Sequence, residues 1–102
     1  MAVDDGQAFN AWLTWALRHP DTETAMRAPE VLAARHAVEA IDALALLVDI
    51  TDDPYRAAAA AAALVTFAGD PAADAAIQRA AVHPSVIVRI ALERSRAERG
   101  ER

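Results

Sequence analysis

The chain has 102 residues, 55% of them apolar, no cysteine and a formal net charge of −5. That suffices for one domain with a modest core, and it excludes disulfides, thiolate metal sites and cysteine nucleophiles. So apolar a chain with so small a net charge is a folded domain, not a disordered tail. No apolar segment reaches the ~20 residues that cross a bilayer, and Asp4 and Asp5 stand where a signal peptide has its basic start. A cytoplasmic protein without a membrane partner is expected.

Two features of the composition bear on partners. Residues 1–53 hold ten acidic side chains against three arginines, whereas residues 54–102 hold five against seven. The acidic half repels phosphate, so nucleic acid is an unfavourable partner there, and only the C-terminal arginines offer it a surface. The 28 alanines imply a core held by close backbone approach more than by large side chains. There is no lysine, which we read with the alanine content as genomic base bias.

In chain order, Asp4 or Asp5 is placed to cap a first helix running to about Leu17 and ended by His19-Pro20. Phe9, Trp12, Leu13, Ala16 and Leu17 share one face of it, with Trp12 expected as a core anchor and Trp15 at the stripe's edge. Residues 21–28 read as a linker with at most one helical turn. Pro29 fits a first helical position, and a long helix is then expected over 30–50. Its run of Ile41, Leu44, Ala45, Leu46, Leu47 and Val48 is apolar almost all round, which marks the centre of the domain.

The segment Thr51-Asp52-Asp53-Pro54 supplies a cap and first-turn proline for a third helix, which reaches Ala68 and stops at Gly69. It contains seven consecutive alanines, from Ala57 to Ala63. Alanine is the best helix former, and a methyl-coated helix packs closely against two neighbours, so this is expected to be a crowded inner helix. Asp70-Pro71 starts a fourth helix ending near Val82, and His83-Pro84 starts a fifth that frays toward Gly100. The fold class is all-α with about five helices, as a small stack of antiparallel helix pairs or a right-handed helical bundle. One domain is expected: capping helix and linker over 1–28, paired helices over 29–99, and a tail over 100–102.

Self-similarity refines this expectation. Asp53-Pro54-Tyr55-Arg56 with the alanines after it recurs loosely as Pro84 through Arg89 followed by Ile90-Ala91-Leu92. Arg56 and Arg89 lie 33 residues apart, and the same shift sets Ala43 on Ala76. The order of Asp-Pro or His-Pro loop, hydrophobic-Arg, alanine-rich helix, Gly-Asp-Pro, second helix and Val-Arg resembles HEAT-type repeats over roughly residues 54–94. The resemblance implies an antiparallel helix-pair solenoid in which Arg56 and Arg89 bond acidic or carbonyl groups of an adjoining loop or repeat. Tyr55 departs from the usual valine, and the N-terminal half does not follow the pattern well.

Conventional chemistry is sparse. His19 and His83 precede prolines at helix boundaries, where an imidazole caps a helix end, and His36 has Ala40 where a second ligand would stand at i+4; no HExxH spacing exists. Asp42 and Asp49 lie two turns apart with Arg35 and Glu39 nearby, the pattern of a solvated stripe with a weak i,i+4 pair. Asp52, Asp53, Asp70 and Asp74 suit helix caps and first turns. Arg94 with Glu98 and Arg89 with Glu93 are spaced as surface ion pairs. No catalytic, metal or cofactor residue is assigned.

The expected function is a non-enzymatic protein-interaction module, a small adaptor or accessory subunit that docks a protein partner or a second copy of itself. Its expected contact residues are Trp15, Val86, Ile90 and Arg94, because tryptophan and arginine favour interface centres and the end helices of a stack carry apolar edges. The alternative is a nucleic-acid-associated protein acting through Arg96 and Arg99. An enzyme with an intersubunit site drawn from His36, Asp42 or Asp49 has no support in the spacing.

Overall fold

The structure is a computed structural model and describes residues 5–19, 23–50 and 52–100. The expected caps and stops at Asp4, Pro20 and Thr51 lie outside the described residues, as does the tail beyond Gly100. The described residues are all-helical: α1 (Asp5–Leu17), α2 (Glu23–Ala34), a 3-10 turn (Val38–Ala40), α3 (Ile41–Ile50), α4 (Pro54–Val65), α5 (Pro71–Ala81) and α6 (Val86–Gly100). These are six α-helices where the sequence suggested about five. The difference lies entirely in residues 23–50.

Instead of a linker over 21–28, α2 begins at Glu23, and Pro29 sits inside it. An internal proline forfeits one helical hydrogen bond. Burial of the adjoining Ala28 and of Pro29 itself offsets that loss. The long helix expected over 30–50 is broken at residues 35–37. His36 adopts φ 53°, the Ala37 amide donates to the Leu32 carbonyl at 3.0 Å, and the His36 amide donates to the Ala33 carbonyl at 3.0 Å. This is a Schellman closure, with Leu32 and Ala37 buried on its inner side. A histidine holds the left-handed position where glycine is usual, so the ordinary stop signal is missing from the sequence.

The remaining boundaries follow their expected signals. Asp53 caps α4, its carboxylate accepting the Tyr55 amide at 2.9 Å, and Pro54 opens the helix. Asp70 caps α5 through the Ala72 amide at 2.9 Å, while Asp74 reaches back to accept the Gly69 amide at 2.9 Å. Gly69 turns the chain at φ 105°, a region that side chains rarely tolerate. α4 leaves α-helical geometry at Val65 and continues as turns through Ala68, a few residues before the expected end. α6 starts at Val86 after a loop in which His83 Nδ1 accepts the Ser85 amide at 3.0 Å.

Short connections fold the helices into consecutive pairs: α1 with α2, α3 with α4 and α5 with α6. Within the assembly α1, α3 and α5 neighbour one another in one row, and α2, α4 and α6 in the other. The shortest extent of the Cα trace is 20 Å, which fits two layers of helices at the usual ~8–10 Å separation. The centre of the domain is α4, which touches α2, α3, α5 and α6, and not the residues of α3. Ala57, Ala60 and Ala61 are fully enclosed, with Ala58 and Ala63 also buried, so the alanine run is a crowded inner helix. Among the described side chains of α3, Ile41, Ala43, Leu44 and Val48 are buried, and Leu46 is exposed.

Polar contacts tie the rows at their margins. Arg79 of α5 grips Asp49 of α3 through two contacts, Nε to Oδ1 at 3.3 Å and Nη2 to Oδ2 at 3.2 Å. Both side chains are largely solvated, so the pair contributes at most about 1 kcal/mol. Arg35, freed from an i,i+4 relation to Glu39 by the break after α2, donates instead to the Asn10 side chain and the Gly6 carbonyl of α1. Asn10 in turn donates to Glu39 at 3.0 Å. The three side chains clip α1 to the α2–α3 junction.

Candidate functional site

α4 cannot bury every face, because α2 and α6 flank it on one side of the domain. Ala59 and Ala62 remain half-buried there. Two adjoining hollows use this strip as their floor. One, of about 410 Å³, runs along α6 and is lined by Ala62, Ile87, Ile90, Ala91, Arg94 and Glu98. The other, of about 460 Å³, spans all three helices through Glu30 and Ala33 of α2, Ala59 and Ala62 of α4 with Thr66 just past its end, and Glu98 of α6. They share Ala62 and Glu98, and so form one open groove across the α2–α4–α6 row.

The groove exists because of side-chain size. Methyl groups on α4 set its floor low, while Ile87 and Ile90 on α6 and Glu30 on α2 raise its walls. Such a surface offers apolar contact at short range to an inserted backbone, with Arg94 and Glu98 on the α6 wall and Glu30 on the α2 wall. Among the described residues no group of three histidines, aspartates or glutamates is placed to hold a metal ion, and no helix is long and apolar enough to cross a membrane.

Of the four expected contact residues, Ile90 and Arg94 line this groove and Val86 stands exposed one turn earlier on α6. Trp15 does not join them: it lies on α1, which packs chiefly on α2. Trp12 is 50% exposed and is not the core anchor that its spacing suggested. The buried stripe of α1 is Leu13, Ala16 and Leu17, leaving Phe9, Trp12 and Trp15 together on an exposed flank. The Trp15 ring stacks on His19 at 3.8 Å between centroids, and His19 Nδ1 donates to the Trp15 carbonyl at 2.8 Å, closing the end of α1. Arg35 lies 4.8 Å over the Phe9 ring.

The two repeat-related arginines both turn to loop groups. Arg56 pairs with the carboxylate of its own cap, Asp53, at 3.3 Å. Arg89 donates to the His83 and Pro84 carbonyls, and so fastens the α5–α6 loop to α6. Asp42 and Asp49 are solvent-exposed, with Asp49 engaged by Arg79. His36 is exposed at the α2 terminus, its ring 5.1 Å from that of Phe67.

Ala59, Ala62, Glu30, Ala33 and Thr66 were not singled out from the sequence. Seven identical residues carry no periodicity, so nothing in the run tells which methyl groups face inward and which form the groove floor. Comparison of the chain with protein-family models, with curated proteins and with solved structures finds no match.

Proposed function

We propose that this chain is a non-enzymatic protein-docking module, a short HEAT-like stack of three helix pairs that holds a helix of a partner protein in the α2–α4–α6 groove. The alanine-floored groove carries this reading. Helix-in-groove recognition needs a shallow apolar trough with charged margins, which Ala59, Ala62, Ile87, Ile90, Arg94 and Glu30 supply. The pairing of successive helices in two rows supports the HEAT-like reading, and extends it to α1 and α2, where the sequence pattern is weak. The charged margins are mixed, Arg94 and Glu98 on the α6 wall and Glu30 on the α2 wall, and favour an amphipathic helix with a small apolar stripe, basic residues toward the two glutamates and an acidic one toward Arg94.

The test is a comparison of variants within the groove and away from it. Ala62→Leu fills the floor of both hollows, and Ile90→Arg charges one wall. Proteins retained by the wild-type chain and by Trp12→Ala, but lost by both groove variants, are the expected outcome. Partner binding indifferent to both groove changes overturns the reading. Salt-sensitive retention of DNA or RNA that is lost in Arg96→Ala with Arg99→Ala replaces it with that of a nucleic-acid accessory protein.

A further inference from the structure

Three helices of this chain open on the same local bond. Asp53 accepts the Tyr55 amide at 2.9 Å at the start of α4, Asp70 accepts the Ala72 amide at 2.9 Å at the start of α5, and His83 Nδ1 accepts the Ser85 amide at 3.0 Å at the entry to α6. In each case a side chain takes the backbone N–H two residues further on. Two of the acceptors are carboxylates, and the third is an imidazole nitrogen. We propose that His83 is a pH-sensitive latch on the entry to α6, closed while its ring is neutral and released by protonation.

The chemistry of the acceptor carries this. An imidazole nitrogen accepts a hydrogen bond only through its lone pair, so the bond from Ser85 requires the neutral ring with its proton on Nε2. In the imidazolium both nitrogens are donors, and Nδ1–H then confronts the Ser85 N–H. The added positive charge also stands at the N-terminal, positive end of the α6 dipole. A carboxylate in the same role stays an acceptor down to about pH 4, whereas histidine gives up its acceptor from about pH 6.5 downward. Mild acid therefore releases the entry to α6 and leaves α4 and α5 capped.

The surroundings do not oppose the release. Arg89 of α6 donates to the His83 and Pro84 carbonyls, placing a second positive charge beside the loop. On the packed elements, Arg79 of α5 is held by Asp49 of α3, and Arg56 of α4 by Asp53. Asp52, Tyr55 and Glu93 are exposed, and among the described residues no carboxylate forms an ion pair with the His83 ring. Buried Val88 and Leu92 keep the body of α6 on the domain, so the release is confined to its first turn. That turn carries Ile87 and leads into Ile90, both on the wall of the α2–α4–α6 groove. The latch sets the order of that wall, and its consequence for a partner rests on the docking reading of the groove.

Amide hydrogen exchange of the free chain, resolved by residue at about pH 7.5 and about pH 5.5, on either side of the histidine range, tests the latch. After correction for intrinsic rates, protection at Ser85 and Arg89 is expected to fall about fivefold at the lower pH, the effect of losing one helix cap, while Tyr55 and Ala72 keep theirs. His83→Asn supplies an amide oxygen that accepts the Ser85 N–H at either pH, and its protection is expected to stay at the neutral wild-type value. His83→Ala is expected to show the low value at both. Protection at Ser85 and Arg89 that is equal at the two pH values, a fall that persists in His83→Asn, or neutral protection that survives His83→Ala each overturns the proposal. A fall shared by Tyr55 and Ala72 also overturns it, since the change then belongs to the whole domain. No partner takes part in the measurement, so a failed latch leaves the docking reading standing, and a failed docking reading leaves the latch.

Discussion

The Ala37 amide donates to the Leu32 carbonyl at 3.0 Å across His36, whose φ of 53° turns the chain out of α2. This one closure separates α2 from α3. It also brings Glu39 within reach of Asn10 and aims Arg35 at Gly6, so it sets the angle at which the first helix pair meets the second.

A side chain in the left-handed region costs about 1–2 kcal/mol relative to ordinary helical geometry, and branching at Cβ makes the position worse still. His36→Val is therefore expected to lose about 1–2 kcal/mol more than His36→Gly, which lacks a Cβ and gives up only the ring beside Phe67. Urea denaturation of the two variants checks this. Equal stabilities would mean that the left-handed backbone is not the constraint at this site.

The alanine run offers a comparison between neighbours. Ala60 is fully enclosed between packed helices, whereas Ala59 is half-buried on the groove floor. Ala60→Leu inserts volume where none is free and is expected to cost about 1–3 kcal/mol. Ala59→Leu is expected to stay within about 0.5 kcal/mol of the wild type, since its side chain extends into the open groove. Chemical denaturation midpoints that fall equally for both would show that α4 is rotated from the orientation described.

Glu39 carries the pH dependence of the clip between α1 and the α2–α3 junction. Its own backbone amide, then the Asn10 side chain, and to a lesser degree the Arg35 charge favour the carboxylate, outweighing a small cost of desolvation, and they hold its pKa below the ordinary value. Because the folded value is the lower one, the contribution to stability is full above the unfolded-chain pKa and is lost as pH falls through the folded value. The Glu39 carboxyl resonance should titrate below the usual glutamate midpoint and move up in Asn10→Ala. Glu39→Gln should remove the corresponding part of the acid limb of the stability curve. An ordinary midpoint, unmoved by Asn10→Ala, would dissociate Glu39 from the clip.

Local chemistry wrote much of the fold into the sequence. Asp53-Pro54, Gly69 and Asp70-Pro71 mark their boundaries because an aspartate can satisfy free amides, a proline needs none, and a glycine accepts positive φ at no steric cost. Alanine's helix propensity made α4 legible, and its small size announced a crowded position. These are properties of a few adjacent residues, and sequence alone carries them.

Only the tertiary structure decided what depends on neighbours distant in the chain. Burial of Ala28 and Pro29 lets α2 run through a proline, and the Leu32–Ala37 closure lets a histidine end it. Packing of Leu13, Ala16 and Leu17 against other helices rotates Trp12 outward, although its spacing fits the core equally well. The alanine run is the clearest instance: seven identical methyl groups define a helix but no orientation, and the inward and groove-facing members are distinguished by α2, α3, α5 and α6 around them.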